Sequence, residues 1–475
     1  MLDLTKIDLG KDEAEQDEKL KDYFLKTDSY NKALSGEKTI IIGRKGSGKS
    51  AIFKLLSDEL SHENVIVIKI TPDQYSWSAL KDYQEKGILP EQANTNAWKL
   101  TILSAIVWKL NDLGLISNKS KLKDYYNFMK DSFTPNKNKD NWFFNIVNKV
   151  KSLLKGIKTQ WISFEDTPSV ATPLKIIEEI RTLLINELQY FQADIRVIID
   201  RLDDSWDASE ESKNIIIGLL KASNELNSIT KNRIKIITFL RSDIYDNLFF
   251  DDQDKLRQNE ETLFWDAESL KKIIIERVRV SLDLKDSEED IWKSLFSEKL
   301  YRSRAKAEKY IIDRTFKRPR DMLSFVRFCI SQAIKKGHKQ IESEDTRMAE
   351  EENYSPSKYK DLIIEYKKQL PFIKELLDSF SGCSHRLTQD NLTKHISKFY
   401  DDNNFKGNPK IMINNLFVMG VIGIKKRGRA GIKQRGGISF YYYYDDPAIR
   451  PLSFNEYYIH PSLRYVLNVK ESRDI

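Results

Sequence analysis

Cysteine is nearly absent: Cys329 and Cys383 are the only two in 475 residues. That excludes a disulfide framework and any cysteine-rich zinc site. Histidine is almost as sparse. His62, His338, His385, His395 and His460 are scattered, and the close pair Cys383 and His385 lacks the rest of a ligand set. Nothing resembles a Ser-His-Asp arrangement or a nuclease cluster of paired acids, so any nuclease activity would come from a partner. Glycine and proline number 18 and 12, too few for a collagenous or low-complexity chain. No apolar run approaches the length of a membrane span, so none is expected. The first residues, MLDLTKIDLGKDEAEQDEKL, are acidic and lack an apolar h-region. No secretory leader is therefore expected, and a cytoplasmic, reducing location follows. A strong charge of either sign is also lacking. Lys and Arg total 78 against 71 Asp and Glu, a net charge of +7, which permits a nucleic-acid partner without demanding one.

What is present can build sizeable cores. Hydrophobic residues make up 40% of the chain, which excludes wholesale disorder. The length fits about three domains, or two with a large insertion. Residues 1–30 read as a charged lead-in with short helical pieces. In KTIIIGRKGSGKSAIFKLLSDEL (38–60), β-branched residues 39–42 read as a buried strand, followed by a glycine-rich turn. An amphipathic helix comes next, with Ile52, Leu55, Leu56 and Leu60 on one face. VIVIKI (65–70) is a second buried strand. Strand, helix, strand in so short a span is a βαβ unit and predicts a parallel sheet. Residues of about 75–170 read as a helical insertion, with a polar loop at 134–141 and a linker at 167–173. A helix over 174–192 precedes the buried strand IRVIID (195–200), a helix over 208–226 and the strand IKIITFLRSD (234–243). LFWD (263–266) reads as a short edge strand. Helices then dominate to about 352. After a polar hinge, EENYSPSKYKD, three helices (359–379, 388–400, 408–419) and a strand, basic loop and strand read as a winged helix-turn-helix.

The motif that carries chemistry is Gly43-Arg44-Lys45-Gly46-Ser47-Gly48-Lys49-Ser50, a match to G-x-x-x-x-G-K-[ST] between strand and helix. Glycines let backbone N–H groups turn inward around phosphates, and the next helix directs its positive end at them. Lys49 is placed to neutralise β- and γ-oxygens, and Ser50 to ligate Mg²⁺. A second metal ligand is expected at the end of a neighbouring strand, and Asp200 meets that expectation. Beyond it, Asp203 and Asp204 both qualify to position the attacking water. Arg241, at the end of the next strand, either senses the γ-phosphate or pairs with a surface carboxylate. Arg320 follows Pro319 at a helix start. It either reaches the phosphates from a lid or is a packed or solvated boundary residue.

The hhhhDxxDD pattern at Asp200, Asp203 and Asp204 resembles the Walker B of the STAND and KAP branches of P-loop ATPases, near the AAA+ and origin-recognition-complex ATPases. The layout is similar as well, and resembles bacterial ATPases found near phage-defence genes. The resemblance implies an α/β fold: a P-loop NTPase parallel sheet with a helical insertion, a helical lid and a C-terminal winged helix-turn-helix domain. The expected boundaries are 31–266 for the ATPase core, 267–352 for the lid and 356–475 for the winged helix. One departure is Arg201, which stands where AAA+ proteins carry Glu, so the catalytic acid shifts to Asp203 or Asp204. An ABC signature is missing after the P-loop, since Leu34-Ser35-Gly36 precedes it. The GTPase-like Thr5-Lys6-Ile7-Asp8 also lies upstream, so ATP is expected over GTP. Relatives of this kind oligomerise, often with a neighbour's arginine completing the site; Arg241 and the Arg257 region are the two candidate sources, and the sequence does not choose between them.

Lys425, Lys426, Arg427, Arg429, Lys433 and Arg435 form a basic, glycine-interleaved loop. It reads as a wing along a DNA backbone, or as a solvated tip or protein contact. Tyr441 to Tyr444 are expected to alternate faces of the second wing strand. Two functions are open. One is an ATP-driven switch that controls assembly (a homo-oligomer) or a partner effector, on or near DNA, in bacterial anti-phage defence or DNA maintenance. The other is an ATP-regulated winged-helix DNA-binding regulator.

Overall fold

Runs of isoleucine and valine become the strands of one parallel sheet. In the computed structural model these are β1 (Ile40–Gly43), β2 (Val65–Ile70), β3 (Asp194–Ile199) and β4 (Ile234–Arg241), joined at one edge by β5 (Glu260–Thr262). The order is β2-β3-β4-β1-β5, with every neighbouring pair parallel. Near-continuous apolar strands suit a parallel sheet, whose two faces are both covered. The structure describes residues 2–62, 64–72, 76, 78, 80, 89–130, 142–154, 173–190, 193–230, 233–298, 301, 305–427 and 438–470. The edge strand expected at 263–266 falls three residues earlier, on polar Glu260-Glu261-Thr262. Leu263 N–H still donates to Ile42 O at 2.8 Å before the chain leaves the sheet. An edge strand needs no apolar run, so the apolar signal misplaced it.

The chain divides into two compact units. One comprises Lys26–Phe264 with Glu13–Glu15 and holds the parallel sheet. Its helices are α1 (Asp28–Ser35), α2 (Lys49–His62), α3 (Pro90–Asp112), α4 (Lys121–Lys130), α5 (Trp142–Leu154), α6 (Pro173–Leu188) and α7 (Glu210–Ile229). Helices α3 to α6 interrupt the sheet between β2 and β3, so the helical insertion reaches past 170. The loop at 134–141 lies outside the described residues, as does the 167–173 linker except for Pro173, which opens α6. Helix α3 is buried over most of its length and runs against α7, where Trp98 Nε1 donates to Ile215 O at 2.9 Å. Their approach is close enough that a Cβ on Gly218 would stand 2.7 Å from the Asn94 backbone.

The other unit comprises Met1–Asp12, Gln16–Leu25 and Trp265–Ile475. The first residues are thus more than a lead-in. Leu4 and Leu9 join the core of α8 (Ala267–Leu282), and buried Asp17 pairs with Arg277 at 3.2 Å. Helices α9 (Glu288–Leu295), α10 (Ala307–Ile312), α11 (Pro319–Lys335) and α12 (Ser343–Ala349) follow. The expected hinge after them is no break. A π turn (Glu350–Tyr354) runs directly into α13 (Ser355–Tyr366). Tyr354 stacks on Phe325 with centroids 4.3 Å apart, and Pro356, which has no N–H to donate, lies just after the π turn.

The helix expected over 359–379 is two, because Pro371 interrupts it; α14 (Ile373–Asp378) is the second. Then come β6 (Arg386–Thr388), α15 (Gln389–Asp402), α16 (Pro409–Val418), β7 (Ile422–Arg427), β8 (Ile438–Tyr441) and β9 (Glu456–Ile459). The antiparallel order is β6-β9-β7-β8, so the sheet has two strands that the sequence pattern left out. The tyrosine run does not alternate along a strand. β8 stops at Tyr441, Tyr442 N–H donates to the Asp445 carboxylate at 2.9 Å, and Tyr442 and Tyr444 stack at 5.2 Å. Among the described residues, no helix is long and apolar enough to cross a membrane.

Candidate nucleotide site at the ends of the parallel strands

β1 ends on Gly43, and the next residues turn sharply. Gly46 and Gly48 hold φ of +80° and +97°, left-handed values that favour glycine. Ser47 N–H closes on Arg44 O at 3.1 Å, and Ile52 N–H on Gly48 O at 3.0 Å opens α2. Lys49, the first residue of α2, is buried. Its Nζ donates to Gly43 O at 2.9 Å and to Arg44 O at 3.2 Å. Burial pushes its pKa below the usual lysine value, opposed by the carboxylates of Asp203 and Asp200.

Ser50 Oγ donates to Asp200 Oδ2 at 3.1 Å. Asp200 sits just past β3, buried, with its N–H on Ile70 O at 3.1 Å. Burial raises its pKa; the Arg201 N–H and Lys49 oppose that. β3 is not the strand beside β1. β4 lies between them, and its last residue, Arg241, is in register with Gly43. The intervening strand therefore ends on Arg241, between the strand that leads into the loop and the strand that leads to Asp200.

Arg241 reaches two carboxylates. Nε and Nη2 donate to the two oxygens of Asp243 at 2.9 and 2.7 Å, and Nη1 lies 3.4 Å from Asp203 Oδ2. The expected surface carboxylate is thus the buried Asp243. After Asp200 the chain turns on Arg201, which holds a left-handed φ of +61° and pairs through Nη2 with Glu15 at 2.7 Å. That turn separates the two acids: Asp203 is partly buried beside Arg241, whereas Asp204 is exposed and its charge falls on Arg201. Sequence reasoning missed Asp243 and Glu15. The acid two residues after Arg241 was a visible signal for the first; nothing local pointed to Glu15, 186 residues before Arg201.

Arg44 and Lys45 are half-buried in the loop. Arg320, half-buried in the first turn of α11, belongs to the other unit. Beside it, Arg318 is buried in an ionic cluster, 3.1 Å from Glu365 and 3.7 Å from Asp321, which also binds Lys358 at 2.6 Å. On β7, Lys426 pairs with Asp446 at 3.1 Å and Lys425 lies 5.7 Å from the Tyr458 ring. Arg427 ends β7; Arg429, Lys433 and Arg435 lie outside the described residues. Among those residues no group of three or more His, Cys, Asp or Glu could hold a metal ion. One hydroxyl and one carboxylate, Ser50 and Asp200, nevertheless fit magnesium, which takes few protein ligands alongside phosphate oxygens and water.

Comparison with known proteins adds three findings. Residues 268–363, which run from α8 into α13, match a family model described as the FunZ-associated C-terminal helical domain. The chain is 26% identical over 444 residues to the putative transposon gamma-delta 80.3 kDa protein of Escherichia coli (strain K12), across 88% of this chain and 62% of that protein. It thus spans less than two thirds of that relative's length. Similar solved structures include the Aeropyrum pernix ORC1 protein in complex with DNA, at 11% identity and TM-score 0.38 over 88% of this chain and 89% of that one. The Aeropyrum pernix ORC2 protein, in ADPNP–ADP complexes, is similar at 12% identity and TM-score 0.29, over 92% and 89%.

Proposed function

We propose that the chain binds and hydrolyses ATP with Mg²⁺ and uses that cycle as a switch. One observation carries this reading: the glycine loop, Lys49, the Ser50–Asp200 pair and the Arg241–Asp203 pair meet at the same end of the parallel strands. Backbone N–H groups from Gly43 to Gly48 would cradle the phosphates. Lys49 neutralises β- and γ-oxygens, exchanging its present carbonyl acceptors for phosphate. Ser50 and Asp200 hold Mg²⁺, which supplies charge neutralisation at the phosphate oxygens. Asp203 orients the attacking water and accepts its proton; exposed Asp204 is set aside. Arg241 senses the γ-phosphate from between the strands.

We read 267–352 as that lid and 356–475 as a winged helix whose basic loop, Lys425 to Arg435, follows a DNA backbone. The E. coli relative is named for a transposon, which fits a DNA-associated setting. The resemblance to ATPases near defence genes supports control of assembly or of a partner effector in anti-phage defence or DNA maintenance. The test is steady-state ATP turnover with and without duplex DNA, for the wild type, Lys49→Ala and Asp203→Asn. The expected result is turnover that DNA accelerates, that Lys49→Ala abolishes, and that Asp203→Asn lowers on the order of 100-fold with nucleotide still bound. Bound nucleotide without turnover, together with ATP-dependent DNA affinity, would instead favour the regulator. Failure to bind nucleotide would sink both readings.

A further inference from the structure

The geometry points to Asp243 as a positioning residue: it aims Arg241 at the γ-phosphate side of the site and keeps it from settling on Asp203. The inference deepens the ATPase reading and rests on it.

A guanidinium is planar, with its donors in a fixed fork. Two contacts on one edge therefore fix the direction of the remaining corner, which a single ion pair would not. Asp243 takes the Nε and Nη2 edge at 2.9 and 2.7 Å. Nη1 is thereby turned toward Asp203, at a longer 3.4 Å. The Arg241 and Asp243 side chains are 11% and 10% exposed, so the pair is shielded from water that would loosen it. The base beneath it is firm. Asp243 lies in the short helix Ser242–Tyr245 that β4 runs straight into, and Asn247 Nδ2 donates to Asp243 O at 2.6 Å. Register places Arg241 opposite Gly43, the first glycine of the loop.

Without the Asp243 carboxylate, Asp203 is a carboxylate still within reach of Arg241, 3.4 Å from Nη1. A closer Arg241–Asp203 pair would remove the γ-phosphate contact and occupy the carboxylate that must accept a proton from water. Hydrolysis would then suffer far more than nucleotide binding, because Lys49, Ser50 and the loop are untouched. The preference for ATP over ADP would fall as well, since Arg241 meets only the terminal phosphate.

The experiment uses the full chain with Asp243→Asn, Arg241→Ala and the double variant. It reads kcat, KM and melting temperature, and the affinities for a non-hydrolysable ATP analogue and for ADP. Asp243→Asn is expected to lower kcat on the order of 100-fold with KM within about threefold. The analogue's advantage over ADP should also collapse, and Arg241→Ala should add little further loss, since coupled residues are not additive. Unchanged kcat and unchanged ATP-over-ADP preference in Asp243→Asn, or losses that multiply in the double variant, would overturn the inference. If Asp243→Asn does not fold, Asp243→Glu keeps the charge and shifts the fork, and the same fall in kcat at constant KM is expected. A wild type that binds nucleotide without turnover would refute the hydrolytic reading alone, because the ATP-over-ADP ratio still tests Asp243.

Discussion

Gly43 has no room for a side chain. A Cβ there would stand 2.4 Å from Ser47 Oγ and 3.1 Å from Leu263 Cδ1. Gly43→Ala is therefore expected to push the loop out of its turn and weaken nucleotide binding about tenfold or more, with little loss of overall stability. Titration with a fluorescent ATP analogue alongside thermal melting checks this, and tight binding by the variant would refute it. His460 is a second residue with a readable consequence. It is fully buried, and its Nδ1 accepts the Ser462 N–H at 3.2 Å, which assigns the proton to Nε2, 2.9 Å from Tyr444 Oη. Burial, then the charges of Lys358 and Arg464, hold its pKa well below the ordinary histidine value. The unfolded chain therefore binds a proton that the folded chain refuses. Stability is retained above the unfolded pKa of about 6.5 and lost as pH falls through it, by up to about 1.4 kcal/mol per pH unit. His460→Gln should flatten that slope between pH 7.5 and 5.5 in urea denaturation; an unchanged slope would count against this account.

At the scale of elements, α3 and α7 cross in close contact. Gly218 on α7 faces the Asn94 backbone, where a Cβ would stand at 2.7 Å, with Thr95 N at 2.8 Å. Backbone cannot rotate aside as a flexible side chain can. Gly218→Ala is expected to destabilise the sheet-containing unit by about 1–3 kcal/mol, despite alanine's better helix propensity. Chemical denaturation of the full chain measures it, and a stabilised variant would show that the helices separate easily. A second element-scale feature is the cluster of Arg318, Asp321, Lys358 and Glu365, which ties α11 to α13. Burial opposes the Asp321 charge, but Lys358 and Arg318 overcome it and hold the carboxyl below its usual range. Paired in this way, four buried charges avoid the large cost of any one left alone.

At the scale of the whole molecule, each unit has its own buried core. The sheet-containing core is built on Ile42, Ile68, Trp98, Val197 and Leu219. The other unit holds Ile274, Phe325 and Tyr354 in one cluster and Leu392, Phe417 and Tyr457 in another. Separate cores need not melt together. Calorimetry is expected to resolve more than one transition. A non-hydrolysable ATP analogue should raise the one that belongs to Lys26–Phe264, by about 2.7 kcal/mol at a hundred times its dissociation constant. A single transition that shifts as a whole would show that the units unfold cooperatively.

The sequence by itself determined the elements that local pattern encodes. β-branched runs announced β1 to β4, and a fixed spacing of glycine, lysine and serine announced the loop and the start of α2. Turn chemistry was harder to read. The π turn and β6 carry no apolar period, β5 is polar, and the tyrosine run bends where an Asp445 side chain caps it. Only the tertiary structure decided which strands are neighbours, because strand order comes from long-range packing and leaves no local mark. That order set β4 between β1 and β3, so Arg241 ends the strand between the one that leads into the loop and the one that leads to Asp200. The turn at Arg201 separated Asp203 from Asp204, identical in type and adjacent in sequence, by partly burying one and exposing the other.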